Sequence, residues 1–216
     1  MKILAVETSG VTFSAALAEN GQLVSEVFWR SGLNHSETLI PAVRGIISKS
    51  GWKLRDMDKI AVSTGPGSFT GIRVGMAFAR TAAQSLDIPL VGVNTLDILA
   101  ANLAGRENII PAIDALRNEV YVKKGNRRIE IEPLGGFLNG LKKNRKKFHI
   151  IGSAVLSYGR EIKKALGSMA VLARGELNYP RAGKLALMAG YVDGQNYEDV
   201  RPLYVRRSWA EEKGRS

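Results

Sequence analysis

The segment best suited to chemistry is a glycine-rich loop in the first third of the chain. It reads Ser63-Thr64-Gly65-Pro66-Gly67-Ser68-Phe69-Thr70-Gly71 and precedes an apolar, helix-like run. Backbone amides of such a loop lie near the positive end of the helix and are able to hold an anion. No Gly-Lys-Ser/Thr follows, so the loop is not a P-loop. We favour a structural interpretation: a tight turn that brings strand and helix close together, with Ser68 or Thr70 as the N-cap.

Side chains for acid–base, nucleophilic or metal chemistry are few. The chain has two histidines and no cysteine, which excludes a disulfide framework, a thiolate zinc site and a cysteine nucleophile. His35 and His149 have no second ligand at helical spacing, and no Gly-x-Ser-x-Gly elbow is present. We expect His35 in a loop or interface. Asp114 ends an apolar strand, where α/β sheets place functional carboxylates, but it equally fits a turn cap. We therefore predict no catalytic, cofactor-binding or metal-binding residues.

Charge is unevenly distributed. The net charge is +11; residues 1–105 hold 9 basic and 8 acidic side chains, whereas residues 106–216 hold 22 and 12. The basic runs are Lys123-Lys124 with Arg127-Arg128, and Lys142-Lys143 with Arg145-Lys146-Lys147. A positive field concentrates polyanions, so RNA is a candidate partner, and its candidate contacts are Lys142, Lys143, Lys146 and Lys147. A solvated surface is the alternative, since no aromatic RNA-binding motif accompanies the runs.

Length and composition indicate an ordinary globular protein. The 216 residues are 45% hydrophobic and 24% charged, enough for a sizeable core. No apolar stretch reaches the roughly 18 residues of a membrane span, and the start of the chain lacks the pattern of a secretory signal. We expect a cytoplasmic protein with no membrane association.

Periodicity in the first half predicts a hairpin meander followed by alternating helices and strands. Strands are expected at Lys2–Thr8, Phe13–Ala18, Gln22–Arg30, Lys59–Ser63 and Pro89–Val93, with Asn20-Gly21 as a hairpin turn. A helix capped by Ser36 and ended by Gly51 places Leu39, Ile40, Val43, Ile46 and Ile47 on one apolar stripe. Further helices are expected from about Ile72 to Leu86 and from about Leu96 to Leu103.

The second half repeats this plan. Strands are expected at Ile109–Ile113, Glu119–Lys123, Arg128–Glu132, Phe148–Ile151 and Ala170–Ala173, and helices at Gly136–Asn144, Leu156–Leu166 and Gly183–Val192. This pattern predicts an α/β protein of two lobes with mixed sheets flanked by helices, divided into residues 1–105 and 106–216.

The helix after the glycine-rich loop is apolar or small on almost every face. Phe78, Ala79 and Ala82 exemplify this composition. Such a helix must be covered on several sides, either inside the core or partly by another subunit. On the second hypothesis, arginine at Ala79 or Ala82 should leave a folded monomer that no longer associates.

Six segments along the chain resemble the TsaB (YeaZ) family, non-catalytic subunits of the bacterial machinery for the tRNA nucleoside threonylcarbamoyladenosine. The most specific is Gly65-Pro66-Gly67-Ser68-Phe69-Thr70-Gly71-Ile72-Arg73. The others are Ile3-Leu4-Ala5-Val6-Glu7-Thr8-Ser9, His35-Ser36-Glu37-Thr38-Leu39-Ile40-Pro41, Gly92-Val93-Asn94-Thr95-Leu96, Asp114-Ala115-Leu116-Arg117-Asn118-Glu119-Val120-Tyr121 and Pro202-Leu203-Tyr204-Val205-Arg206. The second half departs most from the family.

The resemblance implies a two-lobed actin-like ATPase fold (ASKHA, ribonuclease H-like), related to the catalytic subunit TsaD. TsaD carries a His-x-x-x-His metal motif where this chain has Thr95 and Leu99, which cannot replace two imidazoles. Sugar kinases of the superfamily begin with an Asp-x-Gly-Thr phosphate turn, where this chain has Glu7-Thr8-Ser9-Gly10. The resemblance therefore implies no cofactor here, with ATP and metal on TsaD, and leaves weak nucleotide binding open.

The implied role is to dimerise with TsaD and support threonylcarbamoyl transfer to the adenosine beside the tRNA anticodon. TsaE would be a third subunit, tRNA would be reached through the complex, and the isolated chain would form a homodimer. The family's matching positions give the candidate partner interface His35, Gly67, Ser68, Phe69, Thr70, Arg73, Phe78, Ala79 and Ala82. The alternatives are a metal-dependent glycoprotease-like peptidase, a small-molecule kinase of the same fold, or an unrecognised binding module.

Overall fold

The computed structural model describes residues 1–30, 34–124 and 128–206. They form two compact units: Met1–Ile98 with Pro180–Leu203, and Leu99–Tyr179 with residues 204–206. The described strands are β1 (Lys2–Glu7), β2 (Thr12–Glu19), β3 (Gln22–Arg30), β4 (Lys59–Ser63), β5 (Leu90–Val93), β6 (Ile109–Asp114), β7 (Glu119–Lys124), β8 (Arg128–Pro133), β9 (Phe148–Ile151) and β10 (Ala170–Leu172). The described α-helices are α1 (His35–Lys49), α2 (Phe69–Leu86), α3 (Thr95–Ala101), α4 (Leu134–Lys143), α5 (Ser153–Leu166) and α6 (Ala182–Ala189).

The first unit is built on a mixed five-stranded sheet of order β3-β2-β1-β4-β5. β1, β2 and β3 form the antiparallel meander predicted from the sequence, and β4 and β5 continue the sheet parallel to β1. One face packs on α1 and α2 through side chains such as Leu4, Phe13 and Met76. The other face packs on α6 through side chains such as Ala5 and Leu185. With both faces covered, the central strands are almost continuously apolar.

The second unit repeats the plan with the order β10-β9-β6-β7-β8. β6, β9 and β10 are parallel, while β7 and β8 are antiparallel. A single core forms between this sheet and the helices α4 and α5, and it includes Phe137, Ile150 and Ile162. The predicted fold class, α/β with two mixed sheets flanked by helices, is thus confirmed.

The division into units differs from the predicted boundary. Residues 180–203 belong to the first unit, although the expected division assigned all of 106–216 to the second. The reason is that α6 supplies the apolar cover for one face of the first sheet, where Ala182, Leu185, Ala186 and Ala189 are all completely buried.

Two details of α1 also correct the sequence expectation. The helix begins at His35 with Asn34 as its N-cap, and the cap makes no side-chain hydrogen bond, so Ser36 lies inside the first turn. Ile40 does not share the apolar stripe and is 48% exposed, because it lies about 100° around the helix from Leu39.

Candidate partner interface and a buried carboxyl group

The turn after β1 and the glycine-rich loop after β4 lie side by side. β1 and β4 are parallel, with Val6 opposite Val62, so their following segments leave the sheet at the same edge. The Ser68 amide donates a 2.7 Å hydrogen bond to the Ser9 carbonyl. The first turn of α2 is therefore held against the turn after β1.

Three glycines make this close approach possible. A Cβ atom would lie 2.1 Å from the Ser9 carbonyl oxygen at Gly67, 2.0 Å from the Thr8 carbonyl oxygen at Gly71, and 2.3 Å from the Thr8 hydroxyl oxygen at Gly75. These separations are far inside van der Waals contact. The close approach predicted for this loop is confirmed.

Of the two predicted N-caps of α2, Ser68 is the one observed, and Thr70 lies inside the helix. The Ser68 hydroxyl oxygen accepts a 3.2 Å hydrogen bond from the Gly71 amide. The amides of Ser68 and Gly71 thus already have acceptors within the protein. This arrangement supports the structural interpretation of the loop over anion binding.

Three of the nine candidate interface residues present an exposed surface at the start of α2. Phe69 is 38% exposed, and Thr70 and Arg73 are also exposed. The guanidinium of Arg73 lies 4.1 Å from the centroid of the Phe69 ring, which aligns an aromatic face and a fixed positive charge. Aromatic and arginine side chains are enriched at protein–protein interfaces.

Three other candidate residues are buried in the folded protein. His35 is buried, and its Nε2 atom lies 2.8 Å from the Gly10 carbonyl oxygen, so it fixes α1 to the turn after β1 instead of occupying a loop. Ala79 is 0% exposed and Ala82 is buried, both packed in the first core. Their burial corrects the expectation that arginine at either position leaves a folded monomer. Phe78 is half-buried against the same core.

Two exposed apolar residues in neighbouring segments were not predicted as interface residues. Val11 follows the turn after β1, and Ile40 lies on α1, and both are largely exposed. The sequence pattern assigns Ile40 to the core stripe. Spacing gives no signal against this assignment, since Ile40 stands three residues before the buried Val43 and seven before the buried Ile47.

A completely buried carboxyl group, that of Glu7, lies at the end of β1, just before the turn that contacts the start of α2. Oε1 of Glu7 accepts a 2.8 Å hydrogen bond from the Ser9 amide and another from the Ser9 hydroxyl, while Oε2 has no partner among the described residues. Burial raises the pKa of Glu7 from 4.5 to about 7, and the hydrogen bonds from Ser9 offset part of that rise. Thr95, at one of the two positions where the family resemblance implies lost metal ligands, is also buried and donates to the Ser9 hydroxyl over 3.1 Å.

In the second unit, Asp114 is engaged in local structure. Its carboxylate accepts hydrogen bonds from the Ser157 hydroxyl at 2.7 Å, the Tyr158 hydroxyl at 2.8 Å and the Leu116 amide at 2.8 Å. Partial burial and the bond to Asp114 raise the pKa of the Tyr158 hydroxyl. Of the two interpretations of Asp114, the structure thus favours the turn cap.

The candidate RNA contacts lie at the end of α4 and in the loop that follows it. Lys142, Lys143, Lys146 and Lys147 are all exposed. Of the other predicted basic run, Arg127 lies outside the described residues. In the described ranges, no group of three or more His, Cys, Asp and Glu side chains is arranged to hold a metal ion. None of the described helices is both long and apolar enough to cross a membrane.

Comparison with known proteins places this architecture in a family. TsaB of Bacillus subtilis, a tRNA threonylcarbamoyladenosine biosynthesis protein, is 31% identical over 223 residues, which cover 99% of this chain and 97% of the relative. This chain belongs to the TsaB family. TsaB of Escherichia coli is 38% identical over 125 residues, about half of each protein (56% and 53%). Residues 30–134 match the model of the family TsaD: tRNA N6-adenosine threonylcarbamoyltransferase.

Solved structures agree on the TsaB fold. A Pseudomonas aeruginosa protein described as similar to peptidase YEAZ is 25% identical with a TM-score of 0.78, over 95% of this chain and 99% of that one. The ethanolamine utilization protein EutJ of Carboxydothermus hydrogenoformans has a TM-score of 0.52 at 13% identity, over 87% of this chain and 89% of that one. The second likeness concerns the fold alone. The predicted two-lobed actin-like fold is confirmed.

Proposed function

We infer that this TsaB-family chain is a non-catalytic subunit that associates with TsaD and supports threonylcarbamoyl transfer to the adenosine beside the tRNA anticodon. The observation that carries the proposal is the relationship to Bacillus subtilis TsaB along nearly the whole of both chains. The match of residues 30–134 to the TsaD family supports descent from a common scaffold. ATP and metal belong to TsaD in this proposal, TsaE is the third protein subunit, and the complex works in the cytoplasm.

The contact with TsaD is formed by the exposed start of α2, namely Phe69, Thr70 and Arg73, with Val11 in the adjacent segment after β1. The geometry supports this surface because α2 is fixed from below by Thr8 and Ser9, so its exposed side chains are presented on a rigid support. Rigid presentation lowers the entropic cost of association. The isolated chain uses the same surface to form a homodimer.

The non-catalytic assignment is supported by the side chains at the family's reactive positions. Glu7 is completely buried in the phosphate-turn position, and Thr95 and Leu99 are buried where TsaD has its two histidines. None of the three presents a reactive group to solvent. The structure therefore supports a role through surfaces rather than through chemistry.

The test is reconstitution of tRNA modification. TsaD, TsaE, substrate tRNA and the precursor mixture are incubated with or without this chain, and threonylcarbamoyladenosine is measured by mass spectrometry of digested tRNA. We expect formation only when the chain is present, and no ATP, peptide or sugar turnover by the chain alone. Product formation without the chain, or turnover by the isolated chain, would contradict the proposal.

A paired set of variants tests the surface. We expect F69A with R73E to weaken association with TsaD by on the order of tenfold or more, the loss typical of a central aromatic or arginine contact. The matched control is R55E, which makes the same charge change at an exposed position before β4. Association is measured by isothermal titration calorimetry, and equal affinities for the two proteins would exclude this surface.

A further inference from the structure

The fold gathers basic residues from distant parts of the second unit at one edge of its sheet. The first residues of β9 and β10, Phe148 and Ala170, pair with each other, and His149 pairs with Ile109 at the start of β6. The three parallel strands therefore begin at the same edge. Lys147 immediately precedes β9 and Arg106 lies shortly before β6, so both occupy this edge.

The hairpin and the two helices end at the same edge. β7 runs antiparallel to β6 and ends opposite the start of β8, where Lys124 pairs with Arg128. α4 ends at Lys143 and is joined to the start of β9 by four residues. The Lys163 ammonium in the last turn of α5 donates a hydrogen bond to the Ala170 carbonyl, which places that turn beside the start of β10.

We call this set the basic end. Its members are all exposed and come from four separate segments: Arg106, Arg128, Lys142, Lys143, Arg145, Lys146, Lys147, Lys163 and Lys164. The exposed acidic side chains Glu107 and Glu161 are located in the same segments. Nine positive charges against two make this a strongly positive surface, which the linear sequence shows only as separate runs.

Helix capping explains part of the set. Lys142 and Lys143 lie in the last turn of α4, and Lys163 and Lys164 lie in the last turn of α5, where cations interact favourably with the helix dipole. Arg145, Lys146 and Lys147 follow the helix and have no such role. A surface that served capping alone would not continue through the loop.

Exposed apolar side chains of the second unit lie at the other edge. Leu116, Leu156 and Leu177 follow the carboxyl ends of β6, β9 and β10. The exposed Tyr204 also lies near this other edge. Arg206, two residues further on, forms a salt bridge with Glu119 at the start of β7. A surface that binds membranes combines basic residues with apolar anchors. Among the described residues, the basic end carries positive charge but no such apolar anchor. Recognition of a phosphate backbone depends on the positive charge and needs no apolar anchor.

We propose that the basic end binds the sugar–phosphate backbone of the substrate tRNA. The proposal rests on the proposed function for the choice of RNA. It extends the candidate set from four lysines, at the end of α4 and in the loop that follows, to nine residues of four segments. The contact is independent of base sequence, because charged side chains on phosphates position RNA without reading it. Binding at this end holds the tRNA while TsaD carries out the transfer.

The experiment compares two quadruple variants with the same change in net charge. The first has K142Q, K143Q, K146Q and K147Q; the control has K49Q, K53Q, R55Q and R201Q, all exposed positions of the first unit. Affinity for an unmodified tRNA transcript is measured for the full chain and for its complex with TsaD, from about 50 to 200 mM salt. Far-UV circular dichroism and thermal unfolding verify that both variants are folded.

The expected result is specific to the basic end. Its variant should lower the slope of log affinity against log salt by about 3, since each lost phosphate contact removes about 0.7 to 0.9. The control should leave the slope unchanged. Equal slopes for wild type and basic-end variant, or equal losses in both variants, would overturn the proposal. Loss of binding to anionic vesicles with unchanged tRNA binding would also overturn it and assign the surface to lipid.

Measurements on the same wild-type and variant proteins distinguish a failure of the RNA site from a failure of the proposed function. If the wild-type complex binds tRNA through the basic end but the chain does not support threonylcarbamoyladenosine formation, the proposed function fails and the RNA site stands. If modification requires the chain while the salt slope is insensitive to the four lysines, the proposed function stands and the RNA site fails.

Discussion

The hydroxyl of Thr8 donates a 2.7 Å hydrogen bond to the carbonyl oxygen of Gly71, and the carbonyl oxygen of Thr8 occupies the space of the missing Gly71 side chain. One residue of the turn after β1 thus contacts α2 through both its side chain and its backbone. This contact fixes the position from which Phe69 and Arg73 reach the surface.

Alanine at Gly71 should destabilise the protein strongly. Its Cβ atom would lie 2.0 Å from backbone, which cannot move aside as a flexible side chain can. We expect a loss of at least about 2 kcal/mol in the free energy of unfolding. The matched control is G45A in α1, where a Cβ atom meets nothing within 4 Å. It should add about 0.5 to 1 kcal/mol, because alanine favours the helix. Urea unfolding of both variants measures the difference, and equal stabilities would refute the contact.

Protonation of Glu7 should make stability depend on pH. Its pKa in the folded state, about 7, lies above the value of 4.5 for the unfolded chain. Between these values the folded protein binds more protons, so this group's contribution to stability is complete below about pH 4.5 and is lost as pH rises through 7.

Comparison with E7Q isolates this effect. We expect wild type to lose up to about 3 kcal/mol relative to E7Q between pH 4.5 and 8, since each unit of pKa shift corresponds to about 1.36 kcal/mol. The loss is measured as the difference between the two proteins' unfolding free energies at each pH. Parallel pH profiles would show that Glu7 is not protonated in this range.

Arginine should have opposite outcomes at two positions of α2. Ala79 is completely buried, so A79R places a charge in the core and should prevent folding or cost several kcal/mol. Ala77 is exposed on the same helix, so A77R should fold with a change within about 0.5 kcal/mol. Thermal unfolding and size-exclusion chromatography distinguish the two. A folded A79R protein would contradict the core position of Ala79.

Glycine at Leu116 should stabilise the chain. Leu116, Arg117 and Asn118 all have left-handed backbone conformations, with φ of 63°, 55° and 58°. A leucine in this region costs roughly 1 to 2 kcal/mol, and Leu116 is 68% exposed, so little packing is lost with its side chain. We expect L116G to gain about 0.5 to 1 kcal/mol after the entropic cost of glycine. L156G, at an exposed position of α5, should instead lose about 1 kcal/mol, and a loss in both variants would refute the argument.

Local sequence patterns predict several elements with the observed bounds. Gln22–Arg30, Lys59–Ser63 and Phe148–Ile151 match because β-branched and apolar runs are bounded by turn residues. The start of α2 was placed at Ile72, three residues late. Thr70 and Gly71 are poor helix formers, and the contact that holds Gly71 in place is made by Thr8, in a distant segment.

The parts that could not be predicted depend on long-range topology. The pattern of α6 identifies a helix but not the sheet that it covers. The burial of Glu7 depends on distant segments that cover the sheet face it shares with Ile3 and Ala5, and the local sequence of β1 does not specify them. The basic end arises because three strand starts, a hairpin and two helix ends meet at one edge, a relationship set by strand order rather than by spacing along the chain.

The return of α6 to the first sheet has a consequence for biosynthesis. Leu99–Tyr179 is continuous, so the main body of the second unit has emerged from the ribosome before the first unit is complete. Until Ala189 has been synthesised, Ile3, Ala5, Val91 and their neighbours on that sheet face lack their apolar cover. The nascent amino-terminal sheet therefore exposes an apolar face while residues 94–189 are being synthesised, and a premature stop before α6 leaves that face uncovered.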